Sequence, residues 1–228
     1  MFRLHQETSE YKDNLIDATL GHVPFEGWTQ KAVLAGAKDI GFNKNKAACA
    51  FPGQPIDLLI YHSNLADRRM ADAVLELDLD NMKIRERIKA AIKIRLGAAS
   101  NHKEALRSGL HLLASPNNTF TTLRLLYDTV DCIWFSIGDS SVDFNFYSKR
   151  ALLGNVYFFT FLFWLNDKSE KNEHTWSFLD RRIEEVMKFQ SLKNKFLPIK
   201  SPIRNFMEQL QEIAKNNSVY PDIGAKNL

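Results

Sequence analysis

The side chains that could do chemistry are few and scattered along the chain. The six histidines stand singly, and His62, next to Tyr61, is interpreted as structural. Cys49 and Cys132 have no CxxC spacing or neighbouring histidine motif, so they predict buried thiols without a disulfide or zinc site. The HExxH, GxSxG, phosphate-binding and dinucleotide-binding patterns are absent, as is a ligand set for di-iron. The sequence therefore predicts a protein that is not an enzyme, with no catalytic residue, metal or cofactor.

The composition is that of an ordinary globular chain. Its 228 residues are 45% hydrophobic and 25% charged, which fits one core with a small appended module. The net charge of +3 is too small to decide between anionic lipid and nucleic acid as a partner. Residues 1–7 include an acid and no apolar run, so no signal or transit peptide is expected. We interpret the chain as a bacterial cytoplasmic protein, with a processed mitochondrial protein as the alternative.

Apolar residues recur at helical spacing along nearly the whole chain, and alternating strand-like runs are scarce. Turn residues such as Gly41, Pro116 and Gly138 divide these stretches. The pattern predicts an all-α fold. The predicted helices cover residues 10–23, 29–40, 43–50, 56–79, 81–97, 103–114, 119–137, 144–166, 173–192 and 201–216.

The two short helices that meet at Gly41 form a helix-turn-helix outline near the N-terminus. In DNA-binding proteins the second helix of this motif enters the major groove. Lys44, Asn45 and Lys46 could contact a duplex, but the rest of that helix is apolar and Pro52 follows it. We therefore expect a degenerate motif that does not bind DNA.

The helix predicted at residues 81–97 carries a row of cations. The row consists of Arg85, Arg87, Lys89, Lys93 and Arg95. Amphipathic helices usually turn such a row to solvent. The favoured interpretation is a solvated face.

The strongest apolar run, residues 151–165, is shorter than the roughly 20 residues that a membrane-spanning helix needs. It therefore predicts a buried helix and no transmembrane segment. Leu152, Val156, Phe159 and Phe163 share one face of this helix and could line a pocket for an isoprenoid tail. A central core helix carries the same residue types, so the periodicity leaves both interpretations open.

The residues on either side of the turn at 138–141 predict an apolar patch with a charged rim. The set consists of Ile133, Ile137, Asp143, Phe146, Tyr147 and Arg150. Aromatic anchors with a charged border are typical of protein-docking sites. Asp143 could instead cap the helix that begins at Phe144.

The segment 201–216 predicts an amphipathic helix. Its apolar stripe consists of Ile203, Phe206, Met207, Leu210 and Ile213. Such a helix can lie in the headgroup region of a membrane, although Glu208 and Glu212 weaken its attraction to anionic lipid. Packing on its own domain or on a second copy of the chain is the alternative.

Two stretches in the C-terminal half carry a family resemblance. Residues 139–150, DSSVDFNFYSKR, resemble the GDxSxDxNWYxxR signature of the Coq-nine family, and residues 173–183, EHTWSFLDRRI, resemble its DTWxFLxxR segment. Residues 16–42 resemble the more general outline of TetR repressors. Phe146 stands where the family commonly has tryptophan, which keeps an aromatic contact but loses the indole N–H.

The resemblance implies a TetR-repressor-like helical bundle that binds an isoprenoid quinone intermediate or a phospholipid. It implies that the chain presents this lipid to the demethoxyubiquinone hydroxylase, which carries the di-iron chemistry, and it favours lipid binding by the 151–165 helix. The implied organisation is a degenerate helix-turn-helix region at 1–55, a lipid-binding and dimerisation domain at 56–197, and an amphipathic C-terminal helix and tail at 198–228.

The same resemblance implies a homodimer at a membrane surface. The membrane would be the bacterial inner membrane, seen from the cytoplasm, or the matrix side of the mitochondrial inner membrane. The alternative function is a TetR-type ligand-sensing transcriptional regulator, which would bind a palindromic duplex as a dimer.

Overall fold

The computed structural model describes residues 2–139 and 144–196, with side chains at 9–139 and 148–188. Every long regular element in these ranges is an α-helix, which confirms the predicted all-α fold. The α-helices are α1 (Phe2–Leu20), α2 (Val23–Glu26), α3 (Gln30–Asp39), α4 (Lys44–Ala50), α5 (Pro55–Leu75), α6 (Ile84–Ala98), α7 (Lys103–Leu113), α8 (Thr119–Ser136), α9 (Phe144–Asn166) and α10 (Glu173–Phe196).

The helix predicted at residues 10–23 ends earlier than expected, and a separate short helix follows it. α1 ends at Leu20, and the short α2 begins at Val23 and is closed by Gly27. The φ angle of Gly27 is 68°, which glycine adopts without the steric cost that other residues meet. The chain therefore turns sharply before α3.

The helix predicted at residues 56–79 corresponds to α5, which ends four residues earlier, at Leu75. Glu76 and Asp78 follow directly. Acidic side chains are unfavourable at the C-terminal end of a helix because its dipole is negative there. Apolar periodicity does not reveal this effect, so the helix expected from periodicity is longer than α5.

The N-terminal helices form a core together with the first half of α5. Gly36 on α3 lies so close to α1 that a Cβ there would come within 2.7 Å of backbone atoms of Ala18 and Thr19. Glycine alone permits this approach. Trp28 connects this core to α7, because its indole N–H donates to the carbonyl oxygen of Ala105 at 3.0 Å.

A second core lies among α5, α6, α8, α9 and α10. Met70, Ile92, Ile133 and Trp164 are among its fully buried side chains. Leu106 on α7 contacts both cores. The position of α7 therefore affects the space that is left between the helices around the second core.

The α9 helix contains the apolar run at 151–165. Val156, Trp164 and Leu165 are buried, whereas Phe159 is 45% exposed and Phe163 is 37% exposed. Among the described helices, none is long and apolar enough to cross a bilayer. One side of α9 thus packs in the second core while the other presents aromatic rings at the surface.

The α4 helix is the second helix of the helix-turn-helix outline. The Asn43 side chain caps it by accepting two backbone N–H groups of its first turn, and the Lys46 ammonium lies 4.2 Å from the centre of the Tyr11 ring. Ala47 faces the core, whereas Cys49 is exposed. The expectation of a buried thiol at Cys49 was therefore wrong, because the apolar face of this short helix is too narrow to include it.

Candidate functional site

An apolar cavity, which we call the central cavity, lies between α5, α6, α7, α8 and α9. Its empty volume is about 840 Å³, part of which is open to solvent. The walls are mainly apolar, as in most small-molecule sites of proteins. Its apolar lining consists of Leu59, Ala66, Leu96, Ala99, Leu106, Leu110, Leu113, Leu125, Leu126, Phe158 and Phe161.

Arg95 on α6 forms a polar floor in the central cavity. Its Nε donates to Asp67 Oδ1 at 2.6 Å, and its Nη1 donates to the Tyr157 hydroxyl at 2.6 Å. Its Nη2 donates to the hydroxyls of Ser63 and Thr129 at 3.1 and 3.2 Å. Burial opposes the charge of Arg95, but Asp67 and Tyr157 outweigh it and raise the pKa of Arg95 above its usual value. The floor is therefore a paired, hydrogen-bonded network.

The position of Arg95 corrects the expectation that the cations of α6 form a solvated face. The Arg95 and Asp67 side chains are 10% and 9% exposed. Asp67 stands 28 residues earlier, on α5, so the pair exists only in the folded chain. A buried guanidinium needs such a partner because an uncompensated buried charge is costly.

His62 on α5 lines the central cavity beside this floor. Its side chain is nearly inaccessible, and its Nδ1 has no hydrogen-bond partner among the described residues. Burial and, secondarily, the Arg95 charge lower the pKa of His62 to about 4, so its ring is neutral at neutral pH. A neutral imidazole carries one donor and one acceptor nitrogen. The described residues contain no cluster of three or more metal-binding side chains, so His62 lies outside any such group.

A second apolar cavity, which we call the lateral cavity, lies between α6, α8, α9 and α10. Its empty volume is about 780 Å³, and its lining includes Trp134, Leu153 and Ile183. Asp139 and Lys149 stand at its rim and form an ion pair at 2.8 Å. This pair joins the two ends of the first family motif.

The four residues predicted to bind lipid lie in two places. Leu152 and Val156 line the lateral cavity. Phe159 lies at the surface of α9, and Phe163 stacks on Phe178 of α10 with ring centres 4.6 Å apart. The residues of α9 that line the central cavity are instead Tyr157, Phe158 and Phe161.

The residues predicted to bind a partner are also divided. Ile133 and Ile137 are fully buried in the second core, so neither is available at the surface for docking. The exposed apolar side chain of this part of α8 is Phe135, at 81% exposure. It follows Ile133 by two positions, or about 200° around the helix, and so points the opposite way. Phe135 replaces these two residues in the docking surface that we propose below.

Arg150, also in the predicted docking set, is buried. Its Nε donates to Asp131 Oδ1 at 2.6 Å, and Asp139 lies nearby at 3.9 Å. Arg150 therefore holds the start of α9 against α8. The side chains of Asp143, Phe146 and Tyr147 lie outside the described residues.

The second family motif forms the corner between α9 and α10. The Thr175 amide and hydroxyl both donate to Asp167 Oδ2, at 2.9 and 2.6 Å. Burial of Asp167 opposes its ionisation, but the hydrogen bonds from Thr175 and Ser169 outweigh it and lower the pKa of Asp167. Trp176 donates its indole N–H to the carbonyl oxygen of Lys171 at 2.7 Å. These contacts fix the direction in which α10 leaves the corner.

The predicted membrane-binding residues lie outside the described part of the chain. They are Ile203, Phe206, Met207, Leu210 and Ile213. Their role stays a prediction.

Comparison with known proteins supports the resemblance seen in the motifs. The COQ9 family model matches residues 119–190, which run from α8 into α10. The resemblance to the COQ9 family is confirmed. The chain is 30% identical to the mitochondrial ubiquinone biosynthesis protein COQ9 of Rattus norvegicus over 80% of its own length and 61% of the relative's. It is 28% identical to the Homo sapiens protein of the same name, over 80% of the chain and 59% of the relative.

The same similarity extends to a distant eukaryote. The probable ubiquinone biosynthesis protein coq9, mitochondrial, of Dictyostelium discoideum is 28% identical over 81% of the chain and 62% of its own length. The chain thus spans about three fifths of the length of the COQ9 relatives that it matches.

The fold resembles a solved bacterial structure. A TetR transcriptional regulator from Nitrosomonas europaea ATCC 19718 superposes with a TM-score of 0.64 over 78% of this chain and 99% of that one, at 18% identity. This similarity confirms the TetR-like fold. At this level of identity it is evidence for the fold alone.

Proposed function

We propose that this chain is a non-catalytic lipid-binding accessory protein of ubiquinone biosynthesis. It takes an isoprenoid quinone intermediate or a phospholipid into the central cavity and presents it to the demethoxyubiquinone hydroxylase. The COQ9 relatives, which are named for ubiquinone biosynthesis, support the pathway. The observation that carries the lipid-binding part is the central cavity itself, with its long apolar lining and single polar floor.

The walls of the central cavity suit a flexible apolar chain. They are built mainly from leucine, alanine and phenylalanine on five helices, and Gly109 on α7 lies where a Cβ would approach Leu59 within 2.9 Å. Burying apolar ligand surface yields about 25 cal/mol per Å². An isoprenoid tail would therefore be stabilised along the whole cavity.

The first family motif supplies the proposed docking surface for the hydroxylase. We define this surface by the exposed Phe135, the rim pair Asp139 and Lys149, and the motif residues Phe146 and Tyr147 predicted from sequence. Exposed aromatic anchors bordered by charges are common in binding hot spots. Asp139 and Lys149 belong to the described lining of the lateral cavity and not to that of the central cavity, so partner contact would be separate from the proposed lipid site.

The proposal has three further parts. They are membrane contact through 201–216, a homodimer, and a location at the bacterial or mitochondrial inner membrane. The names of the COQ9 relatives describe them as mitochondrial, which supports the mitochondrial alternative for the location. The exposed aromatic rings of α9, Phe159 and Phe163, lie where a second copy could pack.

The deciding experiment is organic extraction and mass spectrometry of the purified protein and of a variant with a filled cavity. Leu110→Trp adds bulk inside the central cavity and should reduce copurifying lipid at least tenfold. His111→Trp is the matched control, since His111 is exposed on the same helix, and it should retain the lipid. Equal lipid in both variants would move the ligand out of the central cavity. A lipid-free protein that binds its own promoter DNA would instead favour the transcriptional regulator.

A further inference from the structure

His62 lines two neighbouring spaces. On one side is the central cavity. On the other is a cleft with an empty volume of about 930 Å³, whose lining includes Asp17, Arg69 and His102. His62, Ala66, Arg95 and Ala99 line both spaces. The imidazole thus belongs to the wall between the central cavity and this cleft, whose lining is also mainly apolar but includes the ion pair of Asp17 and Arg69.

The hydrogen-bonding capacity of His62 is not used by the protein. Its Nδ1 is buried without a partner, although its neighbour Trp28, with ring centres 5.7 Å away, has its own indole N–H satisfied. Leaving a buried polar atom unpaired costs about 1–3 kcal/mol. Such an atom in a residue of a cavity wall is therefore suited to a ligand that enters and completes its hydrogen bonding.

The ionic side chains around His62 are already paired with one another. Arg95 pairs with Asp67 at 2.6 Å, and Arg69 holds Asp17 through two hydrogen bonds at 2.9 and 2.6 Å. An anionic ligand at this point would have to compete with Asp67 for the guanidinium or remain buried without compensation. Both alternatives are costly, whereas a neutral oxygen needs a single donor or acceptor.

We propose that His62 is the head-group anchor of the central cavity and that it selects lipids with an uncharged oxygen, a carbonyl or hydroxyl, over anionic lipids. The inference rests on the proposed function, because it requires that the central cavity binds a lipid. It resolves the choice between quinone-type and phospholipid ligands in favour of a neutral ring or alcohol oxygen. The apolar chain extends from His62 toward Leu110 and Phe161.

The test compares three ligands that share one isoprenoid chain: farnesene, which has no oxygen, farnesol, and farnesoate. Their affinities for the full chain are measured at pH 7.5 by quenching of tryptophan fluorescence. The unaltered protein should bind farnesol at least tenfold more tightly than farnesoate. His62→Phe should weaken farnesol about tenfold, which corresponds to about 1.4 kcal/mol or one hydrogen bond, and should leave farnesene unchanged.

His62→Gln is the rescue variant, since an amide also offers a donor and an acceptor, and it should keep the preference for farnesol. Farnesene binding by each variant shows that the cavity is intact. Tighter binding of farnesoate than of farnesol, or equal loss of farnesene and farnesol in His62→Phe, would overturn the anchor. If the unaltered protein binds none of the three ligands, the proposed function itself fails, which is a separate result.

Discussion

The central and lateral cavities both have mainly apolar walls, but they differ in where they hold charge. The central cavity has its ion pair at the floor, where Arg95 and Asp67 are almost inaccessible. The lateral cavity has its ion pair at the rim, where Lys149 is 31% exposed and Asp139 is covered. The buried charges at the floor are paired with each other, which leaves His62 to contact the end of an inserted ligand in our proposal. Charge at the rim is positioned to meet the surface of another molecule.

The two proposed roles, lipid binding and partner docking, involve different faces of α9. α9 contributes Tyr157 and Phe161 to the central cavity and Leu153 and Val156 to the lateral one. Residues on different faces of a helix can serve different sites because successive side chains are about 100° apart. Changes on one face should therefore affect lipid binding and changes near the other should affect docking.

The largest expected effect is loss of the floor ion pair. Arg95→Met leaves the Asp67 carboxylate buried without its cation and should lower the free energy of unfolding by about 3–5 kcal/mol, measured by urea denaturation. The double variant Arg95→Met, Asp67→Leu should recover part of this loss because no uncompensated charge remains.

Arg182→Met is the control for this prediction. Arg182 pairs with Glu185 at 2.8 Å on the surface of α10, and exposed pairs of this kind contribute about 0–1 kcal/mol. A loss from Arg95→Met as small as that from Arg182→Met would show that the floor is solvated. The proposed difference between the two cavities would then disappear.

A smaller effect is expected from pH, because the central cavity holds a buried histidine and the described lining of the lateral cavity holds none. Burial, and then Arg95, lower the pKa of His62 to about 4, with Asp17 acting in the opposite direction and His102 and Arg69 adding to the lowering. An unfolded histidine titrates near about 6.5. Between these values the unfolded chain binds a proton that the folded chain does not, so stability falls as pH falls.

His62→Gln removes this titration. Between pH 7.5 and pH 5, the unaltered protein should lose about 2 kcal/mol more free energy of unfolding than the variant does, as measured by urea denaturation at each pH. All other titrating groups are the same in the variant, so its own change in free energy of unfolding is subtracted from that of the unaltered protein. Parallel losses in the two proteins would mean that the ring of His62 is accessible to protons in the folded state.

Local signals in the sequence predicted much of the fold. The break at Gly138 and the corner before Thr175 are visible because turn residues and helix caps act within a few positions. The buried side of α9 was predicted only in part, because Val156 is buried but Phe159 and Phe163 of the same predicted face are partly exposed and Trp164 is buried instead. The second motif could be recognised before its role was known, and its role is to set the α9–α10 corner.

The floor of the central cavity could not be predicted from sequence. Arg95 belongs to a row of cations on α6 that has the pattern of a solvated face, and nothing near it indicates Asp67 on another helix. His62 is a single histidine, for which a structural role was the favoured interpretation. Phe135, by contrast, could have been found, because a residue about 200° from the buried Ile133 must face away from the core.

The smallest expected effect concerns docking. Phe135→Ala should weaken capture of the purified demethoxyubiquinone hydroxylase about tenfold, since an exposed aromatic anchor typically contributes somewhat more than 1 kcal/mol to an interface. The copurifying lipid should not change, because Phe135 is not part of the described lining of the central cavity. Phe120→Ala is the matched control, since Phe120 is 41% exposed at the other end of α8. Equal capture by both variants would remove Phe135 from the docking surface, whereas loss of lipid from Phe135→Ala would show that the docking surface and the lipid site are coupled.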